Sequence, residues 1–209
     1  NARYGYGVCI DDIEVSGSPL HTLNLTVFLE GLFNGSGLNK ASNGSGSAFE
    51  GDTADRINIE FRESFAPFNI YGDAIVTYLS QAGETTLSLP SELVGPYYIV
   101  VKHRNSLETW SSEPVIFGGS NIDYDFTSYA GNAFGNNLKY LSGKYVIFGG
   151  DVNQDGIIDT EDMSPVDNAA ADFQSGYLVT DVNGDGVVDT ADLSLIENNS
   201  ALFIGTLRP

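Results

Sequence analysis

The fold of the C-terminal part of the chain is decided by "DVNGDGVVDTAD", which runs from Asp181 to Asp192. Four of its twelve residues are aspartates. An almost identical stretch, "DVNQDGIIDTED", runs from Asp151 to Asp162, and aligning 151–168 with 181–198 gives ten identities in eighteen positions. The chain therefore contains a duplicated unit. Because like charges this close together repel one another, we expect a cation to lie among them.

The spacing of the oxygen-bearing side chains matches a calcium loop of the EF-hand type. Such a loop has ligands at positions 1, 3, 5, 9 and 12, a main-chain carbonyl ligand at position 7 and a glycine at position 6 for the sharp turn. Gly156 and Gly186 occupy the turn positions. The sequence predicts two Ca²⁺ ions. The predicted ligands are Asp151, Asn153, Asp155, Ile157 (main chain), Asp159 and Asp162, and then Asp181, Asn183, Asp185, Val187 (main chain), Asp189 and Asp192.

Other interpretations of the repeat stay open. Magnesium is the alternative ion, although it prefers a tighter octahedron with several waters. Zinc would require His or Cys, and 151–209 contains neither. A solvated turn rich in Asp, Asn and Gly would need no ion. Position 9 commonly acts through water, so Asp159 and Asp189 need not touch an ion directly. The apolar residues at position 8, Ile158 and Val188, are expected to point inward and pair the two loops.

Composition and charge limit the class of protein. The chain has 209 residues, 42% of them hydrophobic, and a formal net charge of −19 with a pI of about 4.1. We therefore predict a globular protein whose partners are neither nucleic acid nor an anionic membrane. No apolar run is long enough for membrane insertion. The single cysteine, Cys9, rules out an internal disulfide. Asp11 and Asp12 are either a further calcium site or ordinary charges at a strand edge.

Catalytic signatures are missing from the sequence. It contains no GxSxG, no HExxH and no phosphate-binding loop, so we predict that it is not an enzyme. His103 and Arg104, with Glu108 and Trp110, could form a catalytic or sugar-binding patch. We favour a strand end with a hydrogen-bonded histidine and a packed tryptophan.

Residues 18–150 are predicted to form a β-sandwich, either Ig-like or jelly-roll-like. Apolar residues alternate with mostly polar ones along "LNLTVFLEGLF" and "RINIEFRES", which is the period of a half-buried strand. Further strands are predicted in "DAIVTYLS", "ETTLSLP", "YYIVVKHR", "EPVIFGG" and "KYVIFGG". We assign 1–17 to a terminal strand, which could belong to an upstream β domain. We expect 34–53 to be a mobile polar loop, and 120–142 receives no assignment.

Each calcium loop is followed by one helix, and no helix precedes it. Paired "DVNxDGxxDxxD" loops of this kind resemble the dockerin family over about 150–200. The resemblance implies two calcium ions, a compact two-helix module in 151–209 and an extracellular setting. It also implies docking onto cohesin domains through residues on the helices, here Thr160, Glu161, Asp167, Asn168, Thr190, Ala191, Glu197 and Asn198. The familiar pattern has Ser or Thr and often Lys-Arg at these positions, whereas this chain is largely acidic or amide-bearing there.

The larger part of the chain also resembles known proteins. "YYIVVKHRNSLETWSSEPVIF" followed by "GKYVIFGGDVNQDG" is similar to C-terminal segments of large secreted surface proteins of Bacteroidetes-type bacteria. The predicted function is therefore a non-catalytic, calcium-stabilised structural or adhesive module at the cell surface, in contact with other protein domains of the same or neighbouring chains. One alternative is the accessory C-terminal region of a secreted hydrolase. The other is a true dockerin with a cohesin-like partner.

Overall fold

The structure is a computed structural model in which residues 21–209 are described. The predictions for 1–17, including Cys9, Asp11 and Asp12, lie outside the described residues. Ten strands and two α-helices follow one another along the described chain. They are β1 His21–Thr26, β2 Thr53–Glu63, β3 Ile75–Ser80, β4 Glu84–Leu89, β5 Gly95–His103, β6 Ser106–Trp110, β7 Val115–Phe117, β8 Asn121–Asp125, β9 Lys139–Leu141, β10 Lys144–Val146, α1 Thr160–Ala171 and α2 Thr190–Ser200.

Two sheets face each other across the main core. The smaller sheet has the order β4-β1-β8, with β1 antiparallel to β4 and parallel to β8. The larger sheet has the order β3-β2-β5-β6, and β7 also pairs with β5. Strands β9 and β10 form a separate hairpin. The prediction of a mainly β protein, a sandwich followed by a small helical module, is confirmed.

Alternating side chains fill the space between the sheets. In β4 every second residue is buried, as expected for a strand with one wet face. Leu23 and Leu25 of the smaller sheet and Ile57, Ile59 and Phe61 of the larger sheet are at most 2% exposed. All five belong to one continuous apolar cluster, so the sandwich has its own core.

Two regions differ from the expectations. The unassigned segment 120–142 contains β8 and β9, and β6 was not identified either. The segment 34–53 is anchored rather than mobile. Leu38 and Ala41 are fully buried, and the N–H of Ser42 donates to the carbonyl of Gly184 at 2.8 Å. The loop therefore contacts the C-terminal module. Its polar residues are those that favour turns, and they do not indicate a mobile backbone.

The helical module has a second core that it shares with the sandwich. Val166 of α1 and Ile196 of α2 pack with Ile158 and Val188 of the two loops. Leu107 of β6 and Phe148, which follows β10, belong to the same cluster. None of the helices in the described part of the chain has the length and apolar character needed to span a membrane.

Candidate metal centre

The last aspartate of each loop organises the loop from inside. Asp162 is fully buried. Its Oδ1 accepts from the N–H groups of Val152 at 2.7 Å and Asn153 at 3.0 Å, and its Oδ2 accepts from Asp159 at 3.0 Å. Asp192 makes the equivalent three bonds in the second loop, at 2.7, 2.9 and 3.0 Å. Each carboxylate thus closes its own loop.

The aspartates at position 9 cap the helices. Asp159 accepts from the N–H of Glu161 at 2.7 Å at the start of α1. Asp189 accepts from Ala191 at 2.7 Å at the start of α2. A capping carboxylate stabilises a helix N-terminus with or without a metal. Asp159 and Asp189 therefore have a structural role as helix caps that does not depend on an ion.

The first aspartate of each loop has a carboxylate oxygen that the protein does not satisfy. Asp151 is 2% exposed and Asp181 is fully buried. Oδ1 of both residues is buried and has no hydrogen-bond partner. Burial of an unpaired carboxylate oxygen is costly, and a hard divalent cation would remove that cost. The same oxygen is orphaned in both repeats, so the loops fit a calcium ion.

The electrostatics of the two loops support the same fit. Burial raises the pKa of Asp151 to about 7, and the neighbouring charge of Asp162 adds to the rise. Burial also raises the pKa of Asp181 to about 6, although the positive charge of Arg104 works in the opposite direction. Burial raises the pKa of Asp162 and of Asp192 as well. These carboxylates carry unfavourable negative charge that a cation would neutralise.

The remaining predicted ligands lie on the outer side of the loops. Asp155 and Asp185 are exposed and accept from the side-chain amides of Asn153 and Asn183, each at 3.0 Å. Within 21–209, no three His, Cys, Asp or Glu side chains converge as a metal cluster. A calcium loop does not depend on carboxylates alone, because Asn oxygens and a main-chain carbonyl, here of Ile157 or Val187, complete the set.

The apolar residues at position 8 point inward into one shared apolar cluster. Ile158 is fully buried and Val188 is 2% exposed. The N–H of Ile158 donates to the carbonyl of Ile204 at 2.9 Å, and that of Val188 donates to Gln174 at 3.0 Å. Each loop therefore pairs with the segment that follows the other repeat's helix. The two position-8 side chains belong to the same apolar cluster, while the main-chain hydrogen bonds connect each loop to the other repeat.

A buried polar cluster attaches α2 to the sandwich. Asn199 of α2 is fully buried. Its amide donates to the carboxylate of Glu30 at 2.7 Å and to the carbonyl of Gly149 at 2.8 Å. Lys139 pairs with Glu30 and donates to Asn199. Sequence reasoning missed these residues. The available signal was the polar Asn199 at the place where the first repeat has Ala169.

The histidine region is structural. His103 is 5% exposed and bonds Ser106 Oγ at 2.9 Å and the carboxylate of Asp55 at 3.1 Å. Burial alone would raise the pKa of Asp55, but the hydrogen bond and charge of His103, with Arg104, lower it to about 2. Ser106, His103 and Asp55 are all buried, and their side chains are hydrogen-bonded to one another. Trp110 is also buried and donates to Glu108 at 2.7 Å, as the favoured interpretation of the patch expects.

Comparison with known proteins places the repeat in a family. Residues 149–200 match the dockerin type I domain. One similar solved structure is a C-terminal interface mutant of a type II cohesin–X-dockerin complex from Acetivibrio cellulolyticus. The similarity covers 90% of this chain and 97% of that chain, with 14% sequence identity and a TM-score of 0.48. An N-terminal interface mutant of that complex is similar over 86% of this chain and 94% of that chain, with 14% sequence identity and a TM-score of 0.47. No curated protein matches significantly. The chain carries a dockerin-like module after a β-rich region.

Proposed function

We propose that the chain is a non-catalytic, extracellular module of a larger secreted or cell-surface protein, stabilised by two calcium ions. The observation that carries the proposal is the buried, unpartnered Oδ1 of the first aspartate in both loops, Asp151 and Asp181. Dockerin domains bind calcium in general and occur in secreted bacterial proteins. The inferred ligands are the twelve predicted from the sequence, with Asp159 and Asp189 acting directly or through water.

The chain would act as one stiff unit with two parts, 18–150 and 151–209. Leu107 and Phe148 of the sandwich belong to the apolar core of the dockerin-like part. Asn199 of α2 donates hydrogen bonds to Glu30 and Gly149 of the sandwich. A module that shares its core cannot swing freely on a linker. This supports a structural or adhesive role for the sandwich, in which calcium fixes the angle between the two parts.

A calcium titration by calorimetry on the EDTA-stripped chain tests the proposal. We expect two sites and a higher melting temperature with calcium, because ligands that bind only the folded state stabilise it. The double variant Asp155→Ala/Asp185→Ala should lose both effects. A matched double variant at exposed positions, Asp73→Ala/Glu92→Ala, removes the same charge and should keep them. A magnesium titration distinguishes the alternative ion. No heat at millimolar calcium would rule out the calcium function.

Docking onto a cohesin-like domain is the second candidate function, supported by the dockerin match. All eight family docking positions are exposed. They are Thr160, Glu161, Asp167, Asn168, Thr190, Ala191, Glu197 and Asn198. A pull-down of the calcium-loaded chain with purified cohesins tests this candidate, with Glu161→Lys/Glu197→Lys as the interface variant. Capture that is lost in EDTA supports docking, and no capture contradicts it. The remaining alternative, an accessory region of a hydrolase, predicts a catalytic domain elsewhere in the full gene product.

A further inference from the structure

The two loops hold their first residue in different ways. In loop 1 (151–162) the side-chain amide of Gln154 donates to the carbonyl of Asp151, and it also donates to the carbonyl of Ser106 in β6 at 3.4 Å. The donor to the first residue of loop 1 thus comes from the loop itself. In loop 2 (181–192) the same position is Gly184. A Cβ there would lie 2.2 Å from Cδ2 of Leu32, and φ is +74°. Glycine has no side chain, and a larger residue here would have to displace the buried Leu32, so loop 2 has no side-chain donor at this position.

The sandwich supplies the missing donors. The side-chain amide of Asn105 donates to the carbonyls of Asp181 at 2.9 Å and Val179 at 3.0 Å. Nη1 of Arg104 donates to Asp181 at 3.1 Å and to Leu178 at 3.3 Å. Both residues lie in the turn between β5 and β6. The carbonyl that loop 1 satisfies internally is thus satisfied from outside in loop 2.

The position of Asn105 makes it a fixed support. It is 1% exposed, and its carbonyl accepts from the N–H of Gly150 at 2.7 Å. On the other side of loop 2, Ser42 donates to Gly184. The sandwich therefore donates hydrogen bonds to loop 2 at two places, Asp181 and Gly184. A buried donor with a fixed rotamer holds the first residue of the loop before any ion arrives, and this lowers the entropy cost of binding.

We propose that Asn105 is a positioning residue of the second calcium site, so that the first residue of loop 2 is held by a side chain of the sandwich, whereas that of loop 1 is held by the loop's own Gln154. The inference rests on the proposed calcium function. Asn105 is uncharged, whereas the positive charge of Arg104 also repels a cation. Asn105 is therefore the residue whose removal isolates the positioning effect.

Calorimetry on single-site chains tests the proposal. Asp155→Ala leaves loop 2 as the remaining site, and Asp185→Ala leaves loop 1. Adding Asn105→Ala should weaken calcium binding to loop 2 by about fivefold to tenfold, because two hydrogen bonds are lost. The same change should alter loop 1 by less than about twofold. Gln154→Ala should give the reverse pattern, and the exposed control Asn69→Ala should change neither site.

Melting curves with calcium and with EDTA provide a second readout. A positioning role predicts that Asn105→Ala lowers the melting temperature more in calcium than in EDTA in the chain that keeps loop 2. Unchanged loop 2 affinity, or an equal loss at both loops, would overturn the proposal. Absence of calcium heat in the parent single-site chains would instead overturn the proposed function itself. If Asn105→Ala fails to fold by circular dichroism, Asn105→Leu, which keeps a side chain of similar size but removes the amide donors to loop 2, takes its place under the same criteria.

Discussion

The two repeats are nearly the same sequence in two different settings. Asp162 and Asp192 accept the same three main-chain hydrogen bonds in their loops, and Asp159 and Asp189 cap their helices in the same way. Their surroundings do not correspond. Position 4 is exposed in loop 1 and buried against the sandwich in loop 2. Similar local sequence therefore gives similar local geometry, whereas the residues packed around each loop differ.

The largest expected effect comes from the anchor that only the second repeat has. Asn199→Ala removes two donated hydrogen bonds, one of them to the buried carboxylate of Glu30. We expect the free energy of unfolding in calcium to fall by about 3–4 kcal/mol. Urea unfolding measures this, and Asn198→Ala on the exposed face is the control. Equal stabilities of the two variants would contradict the anchoring role.

A steric test addresses the contact between loop 2 and the sandwich. A Cβ on Gly31 would lie 1.9 Å from the carbonyl oxygen of Val182, so Gly31→Ala must push the loop away. We expect a loss of about 2–3 kcal/mol in the free energy of unfolding. Gly119→Ala, where the nearest atom is 3.9 Å away, should cost far less. If both variants unfold at the same urea concentration, the close contact is not important for stability.

The two loops should also differ in their pH dependence. The pKa is raised from 3.8 to about 7 for Asp151 and to about 6 for Asp181. Protons therefore compete with calcium as the pH falls. Affinity should drop by up to about tenfold per pH unit, first at loop 1 and then at loop 2. Calorimetry on the Asp155→Ala and Asp185→Ala chains, from pH 8 to pH 5 in steps of about one pH unit, tests which loop loses calcium affinity first.

The calcium-free chain should show the opposite trend with pH. For a carboxyl whose pKa is raised on folding, the stabilisation is present below the unfolded pKa and is lost as the pH rises through the folded pKa. The loss therefore runs from the ordinary pKa of 3.8 up to the folded pKa of about 7 for Asp151 and about 6 for Asp181. Melting in EDTA should therefore occur at a higher temperature in mildly acidic than in mildly alkaline buffer, and a flat profile would contradict the raised pKa values.

The smallest effect concerns the helices. Pro165 lies inside α1, where α2 has Leu195. Proline removes a backbone donor from the helix, so Pro165→Ala should raise the free energy of unfolding by about 1 kcal/mol. Chemical denaturation measures the change. A decrease instead would mean that the packing of the proline ring outweighs the missing hydrogen bond.

Much of the fold could be predicted from short stretches. The two Asp-rich loops, their helices and seven strands follow from patterns of a few residues. Strand β6 was missed because it buries the polar residues Ser106 and Thr109, so its sequence lacks the alternation of apolar and polar residues that marks a strand. Strand β8 was missed because it pairs in parallel with distant β1, so it lacks a hairpin signal.

The sequence by itself determined the two loops, because their caps and carboxylate bonds join residues at most ten positions apart. It also determined that the module is acidic and lacks His and Cys. Only the tertiary structure decided that loop 2 is the one held by the sandwich. The donor Asn105 lies 76 residues from Asp181, and such a contact depends on how two cores pack together, which no local pattern encodes.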